Sequence, residues 1–259
     1  MEGERELEVD ALSERGAIGR GAIRSGRPPR EHAGKVEERI LDAAGRVFLE
    51  RGFSAASVEE IAEVACAGKP TIYARFPGKQ VLFAAVVERL VRRNTNLAAV
   101  SCAGGSTEER LVALAAVILT RVLTPETIGL MRVAVAEARR FPDLATSVSC
   151  MGRERPTEAV ARVFGELDAS DGIGVAAPAF TADRLLDTAG RFLDLVVLPM
   201  LVRALFGEDL AALRTEIGPH AARSVAFFLA ACGCVDKPAP GFETPPHIAL
   251  AATDGAPAD

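Results

Sequence analysis

Tryptophan is absent from this 259-residue chain, tyrosine occurs once, at position 73, and aromatic residues make up only 5%. β-Sheets favour aromatic and β-branched side chains, whereas the abundant alanine, leucine and arginine favour helices, so an all-α protein is expected. Long apolar runs are also missing. The longest, Leu111 to Leu119 and Leu195 to Val202, fall short of the roughly 20 residues that cross a bilayer, and no segment reads as transmembrane. The first ten residues, MEGERELEVD, lack the basic flank and apolar stretch of a secretory signal, and a cytoplasmic location is expected. There is no GxSxG, no phosphate-binding loop and no HExxH, and histidines at 32, 220 and 247 cannot build a local metal or triad site. No enzyme is expected, and no cofactor; His220 reads as a surface or interface residue.

Cysteines at 66, 102, 150, 232 and 234 form no CxxC pair and have no histidine at zinc-site spacing. In a reducing compartment they read as free, partly buried thiols. The closest pair, Cys232 and Cys234, leaves a redox-sensing alternative open.

What is present is ordinary in bulk, with 49% hydrophobic and 25% charged residues and a net charge of −5, but it is unevenly placed. Residues 1 to 34 are rich in glycine, proline and arginine and carry little apolar periodicity, the pattern of a flexible arm. Arg15, Arg20, Arg24, Arg27 and Arg30 fall in a stretch with no acid. From about residue 233 a proline-rich tail is also expected to be disordered.

Between these ends helical signals dominate. From Lys35 to Arg51, Val36, Ile40, Ala44, Val47 and Phe48 recur at helical spacing, and Gly52 supplies a stop. Ser57 followed by Glu60 forms a capping-box pattern ahead of the stripe Val58, Ile61, Ala62 and Ala65. After a break at Ala67 and Gly68, Pro70 suits the first turn of a third helix expected to run to about Phe76 before Pro77 and Gly78. Two short helices across so tight a turn make a helix-turn-helix, the device that seats its second helix in the DNA major groove. Ile72 and Phe76 should face the core, leaving Thr71, Tyr73, Ala74 and Arg75 outward. Tyr73 there can meet the sugar-phosphate backbone, or simply cap the small core.

Residues 40 to 87, ILDAAGRVFLERGFSAASVEEIAEVACAGKPTIYARFPGKQVLFAAVV, resemble the DNA-binding domain of the TetR family of transcriptional regulators. The resemblance lies in the GF after the first helix, the SVEEIA second helix, the K-x-T-I-Y third and the F-P-x-K opening the fourth. Cys66 and Gly68 stand where the family often has glycine and serine, and Pro70 where it often has glycine. The resemblance implies that Lys69, Pro70, Thr71 and Tyr73 meet double-stranded DNA, with Ala74 and Arg75 at the edge and Ser57 and Lys79 on phosphates. Residues 35 to 79 carry seven basic and seven acidic side chains, so the domain itself is neutral. RSGRPPR, with Arg24 and Arg27, resembles arms that enter an A·T-rich minor groove; the alternative is a solvated tail.

The larger part, 80 to 232, has helix starts at Ser106 with Glu109, at Thr124 before Pro125, and at Thr181. Its helices are apolar on more than one face, which calls for several neighbours or a second subunit, and a homodimer is inferred. Residues 131 to 144 and 194 to 207 resemble the regulatory domain of an AefR-like subgroup of the family. That resemblance implies a dimer formed by helices at about Thr181 to Phe206 and Asp209 to Cys232, a palindromic operator, and a small, largely apolar effector whose binding releases DNA, as in a repressor. Candidate ligand residues are Leu119, Val135, Phe164, Phe192, Leu195 and Met200, each of which could equally be plain core. Arg132 and Glu137 could orient a polar ligand atom or belong to the solvated face.

Overall fold

The computed structural model describes residues 30–97, 105–171 and 177–233. Contacts divide the chain into two units, Met1–Glu37 and Glu38–Asp259. Ten α-helices and one short 3₁₀ turn make up the described residues, with no strand among them, as the residue composition leads one to expect.

Helix α1 (Arg30–Ala55) buries Ile40, Ala44, Val47 and Phe48 along one stripe. Gly52, at φ 75° and ψ 172°, breaks its helical path in a region glycine enters without steric cost. The chain then resumes one more turn, placing buried Phe53. Helix α2 (Val58–Val64) starts at Ser57, whose hydroxyl accepts the Glu60 amide at 3.1 Å. The expected capping box is only half made, because the Glu60 carboxylate turns instead to the Arg51 guanidinium at 3.1 Å.

Helix α2 ends in a Schellman motif. The Ala67 amide donates to the Ala62 carbonyl at 3.0 Å and the Cys66 amide to that of Glu63 at 3.1 Å. Cys66 occupies the left-handed position, φ 48°, where glycine is favoured. Helix α3 (Lys69–Tyr73) follows and is shorter than the expected run to Phe76; the last amides, of Arg75 and Phe76, both close on the Ile72 carbonyl. Helix α4 (Lys79–Asn94) buries Leu82, Phe83, Val86 and Leu90. Phe48, Phe53 and Phe83 meet at centroid distances of 5.0 to 5.9 Å and form the aromatic centre of this four-helix head.

Helix α5 (Thr107–Val122) begins with a complete capping box between Ser106 and Glu109, and α6 (Pro125–Glu137) with Thr124 accepting the Thr127 amide at 3.1 Å. Helix α7 (Pro142–Asp171) runs through an interior proline, Pro156. Thr181, an expected helix start, instead closes a 3₁₀ turn at Pro178–Phe180, donating its hydroxyl to the Pro178 carbonyl at 2.9 Å. Helix α8 (Leu185–Leu205) begins four residues later. The single helix expected from Asp209 to Cys232 is two, α9 (Leu210–Thr215) and α10 (Ile217–Ala231). Pro219 has no N–H to offer the Thr215 carbonyl, and the helix breaks there.

Helix α7 packs on α8 and on α4, and α5 packs on α10. Their shared core gathers Phe164, Phe180, Phe192 and Phe228, with ring centroids 5.1 to 6.0 Å apart. No single helix among the described residues is long and apolar enough to cross a membrane.

Candidate nucleic-acid interface and the helix behind it

On α3, Ile72 is fully buried and Phe76 is 7% exposed, while Tyr73 is 46% exposed, so the core and outward faces divide as the spacing predicts. Lys69, Pro70 and Ala74 are exposed as well; Thr71 and Arg75 are half-buried rather than fully outward. Arg75 folds back along its own helix, its Nη1 donating to the Thr71 carbonyl at 3.4 Å. Lys69 pairs with Glu59 of α2 at 2.9 Å, and that hydrogen bond holds the Glu59 carboxyl below its ordinary pKa. Both partners are about half exposed, so the pair is weak and open to exchange for a phosphate. Ser57 is half-buried as the α2 cap, and Arg24 and Arg27 lie outside the described residues.

Lys79 carries a second task. Its ammonium donates to the Ser54 carbonyl at 3.1 Å and the Ala56 carbonyl at 2.8 Å, and lies 4.8 Å from the centre of the Phe53 ring. Two of its three donors are thereby engaged, leaving one for a phosphate. Partial burial pushes its pKa down, Glu137 draws it back up and Arg140 lowers it further.

Around the same point α6 clasps the head. The Ser54 hydroxyl donates to Glu137 Oε1 at 2.6 Å and accepts from Arg140 Nη1 at 3.1 Å. Phe141 sets its ring edge-on against Phe53 at 5.0 Å. At the other end of α6, Arg93 of α4 pairs with Glu126. Midway, Leu49 lies so close to Gly129 that a Cβ there would come within 2.4 Å of its Cδ2; only glycine permits this crossing without displacing Leu49. No local pattern announces these contacts, since Ser54 and Glu137 are 83 positions apart.

The side of α6 away from the head borders a cavity of about 520 Å³ between α5, α6, α7 and α8, within the size range of small-molecule sites. Val135, 65% exposed, is the one sequence candidate on its wall. Leu119, Phe164, Phe192 and Met200 are buried in the core instead, because the aromatic cluster claims the space behind α7 and α8, and half-buried Leu195 packs against that core. Arg132 caps the end of α8, donating to the carbonyls of Leu205 at 3.1 Å and Ala204 at 2.6 Å. Glu137 belongs to the clasp on Ser54. The wall residues that sequence reasoning missed include Val148, Leu193, Val197 and Leu201.

Helices α8 and α10 also leave an apolar surface bare. Along α10, Ala222, Ala226, Phe227 and Ala230 are exposed at helical spacing, as are Pro199 and Val202 on α8 and Phe206 just past its end, Phe206 by 90%. His220 is not on this surface; its Nε2 lies 2.8 Å from the Val196 carbonyl. Among the described residues no cluster of three or more metal-ligating side chains occurs.

A four-helix head presenting the short α3 across a tight turn from α2, set against a larger helical body with a cavity, defines a helix-turn-helix protein. A family model described as bacterial regulatory proteins, tetR family, matches residues 40–86, and one described as the AefR-like transcriptional repressor C-terminal domain matches residues 109–234. The chain belongs to the TetR family and is a DNA-binding transcriptional regulator, not an enzyme. It is 39% identical over 71 residues to the HTH-type transcriptional activator FasR of Mycolicibacterium smegmatis, a match spanning 27% of this chain and 31% of FasR. It is 40% identical over 53 residues to the HTH-type transcriptional repressor ComR of Escherichia coli, spanning 20% of this chain and 25% of ComR. The match thus spans under a third of either relative's length. Among solved structures, a TetR-family regulator from Mesorhizobium loti aligns with TM-score 0.63 at 25% identity over 77% of this chain and 97% of that one. The flavonoid-responsive regulator FrrA aligns with TM-score 0.54 at 29% identity over the same shares of each chain.

Proposed function

We propose that the protein is a homodimeric repressor that binds a palindromic operator and lets go when a small, largely apolar molecule occupies the cavity behind α6. The observation that carries this reading is the position of α6. One of its faces walls the cavity through Met131, Ala134, Val135 and Ala138, while Glu137 at its end holds Ser54 of the head. A molecule that fits the cavity only when α6 has shifted would move the head with it. It releases DNA to the extent that it prefers that shifted state, typically by 1 to 3 kcal/mol in coupled systems. The likeness to FrrA, a flavonoid-responsive regulator, supports a small-molecule effector.

Homodimer formation is supported by the bare stripes on α8 and α10, where alanines at 222, 226 and 230 allow close helix approach and Phe206 and Phe227 supply apolar area. A two-fold dimer places its recognition helices in successive major grooves, roughly 34 to 36 Å apart. Tyr73, Pro70 and Lys69 would meet the DNA, with Thr71 and Ala74 beside them, Arg75 swinging out from its own helix, Ser57 and the free donor of Lys79 on phosphates, and Arg24 and Arg27 in a minor groove. A redox role for Cys232 and Cys234 gains nothing from the geometry. Cys232 is half-buried and packs against the core, and Cys234 lies outside the described residues.

The test is a footprint of the purified protein on DNA upstream of its own coding sequence, followed by transcription from that fragment with and without the protein. Two protected half-sites about one helical turn apart and lower transcript with protein are expected. A protected site with higher transcript makes it an activator, and protection indifferent to every cavity-binding compound makes it a constitutive binder.

A further inference from the structure

Helix α7 carries Pro156 in its interior. Proline has no amide hydrogen, so the carbonyl four residues before it, that of Gly152, lacks the partner that interior helical carbonyls normally have. In an α-helix each carbonyl oxygen points at the nitrogen of the residue four further on. Because Gly152 and Pro156 both line the cavity, the unmatched acceptor sits at the cavity wall. Gly152 itself is exposed.

The groups near this acceptor are polar but balanced. The Thr157 hydroxyl donates to the Arg153 carbonyl at 2.7 Å, so its oxygen has lone pairs to spare. Arg153 and Asp194 form a loose pair at 3.5 Å. A smaller cavity of about 290 Å³ shares Arg153, Thr157, Gly190 and Asp194 with the large one and adds Arg191 and Asp187, themselves paired at 2.9 Å. Two arginines face two aspartates, so no net charge selects an ionic group. The rest of the large cavity is apolar, with Val135, Val148, Leu193, Val197 and Leu201 on its walls.

We infer that the cavity takes a neutral amphiphile, with an extended apolar body lying between α6 and α8 and a hydroxyl or amide N–H donated to the Gly152 carbonyl. This inference rests on the cavity being the effector site. Neither an anion nor a cation is favoured, because the wall that carries the acceptor also carries Arg153 and Asp194, whose charges cancel.

Four compounds with one tail test it: 1-decanol, decyl methyl ether, decanoate and decylamine, each titrated against the full chain with the melting midpoint as readout. Decanol is expected to bind about five-fold more tightly than the ether, the net worth of one hydrogen bond, and more tightly than either ion. Pro156→Ala then restores an N–H to the helix and returns the Gly152 carbonyl to its own ladder. It should raise the midpoint of the free protein and erase the preference for decanol over ether, whatever the change in wall shape does to the affinity for both.

Equal binding of decanol and ether by the natural chain overturns the inference while leaving the cavity reading intact, and that comparison needs no variant. Tighter binding of decanoate or decylamine overturns it too, as does a decanol preference that survives Pro156→Ala. Failure of all four compounds to move the midpoint removes the cavity as effector site and the inference with it.

Discussion

Ser54→Ala is the sharpest single probe of how head and body are joined. The hydroxyl donates to the Glu137 carboxylate at 2.6 Å and accepts from the Arg140 guanidinium at 3.1 Å. Hydrogen bonds to charged partners are worth about 1.5 to 3 kcal/mol where water is excluded. Ser54 is exposed, so water replaces part of each bond, and the expected loss is about 1 kcal/mol. For a chain of this size that lowers Tm by about 2 to 4 °C. Stability alone would not separate this contact from a generic surface change, so the measurement is a double-mutant cycle with Glu137→Ala in thermal melts. Contacting residues show interaction energies of roughly 0.5 to 3 kcal/mol, whereas independent sites add within about 0.5. A coupling near 1 kcal/mol is expected between Ser54 and Glu137, and none between Glu137 and Ser147, a control serine hydrogen-bonded within α7. If the two clasp substitutions simply add, the Ser54–Glu137 hydrogen bond does not hold in solution and the proposed coupling through it is refuted. If they couple, the same Ser54→Ala protein should respond less to a cavity-binding compound in a DNA-binding titration, by up to about five-fold, with compound affinity little changed.

Three further outcomes follow from particular residues. Cys66→Gly relieves a left-handed side chain costing about 1 kcal/mol and should raise Tm by about 2 to 4 °C; an unchanged or lower Tm means the turn does not hold that conformation. Phe227→Glu places a charge in the centre of the α10 stripe and should shift sedimentation from dimer to monomer and abolish operator binding, while a monomeric natural protein would refute the proposed interface. Deleting residues 1 to 34 should weaken operator binding and flatten the plot of log affinity against log salt by about 0.9 for each arginine engaged with phosphate; an unchanged slope removes the arm from the mechanism.

The head was legible in the sequence because its signals are local. A cap at Ser57, a stop at Gly52, a proline at the start of α3 and the Ile72 and Phe76 spacing each act within one or two turns. The same holds for the starts of α5 and α6 at Ser106 and Thr124. Long α7 was not legible, because Ser147, Ser149, Gly152 and Pro156 break the apolar rhythm of a helix held in place by α4 and α8. Choosing cavity residues failed for a related reason. Leu119, Phe164, Phe192 and Met200 are as apolar as any wall residue, and only the tertiary packing of the helices decides that they lie behind it. Arg132 and Glu137 were recognisable as unusual charges in an apolar helix. Their partners, a helix end 72 and 73 positions on and a serine 83 positions back, are set by tertiary structure alone.

Because α6 is gripped by the head and by the end of α8 through Arg132, and also walls the cavity, its residues cannot be varied for one purpose alone. On the proposed effector reading, re-tuning selectivity should therefore begin on the opposite wall, at Val148, Leu193 or Val197, which leaves the lever arm untouched. A library confined to α6 would instead scramble recognition and response together, returning variants locked in one output whatever they bind.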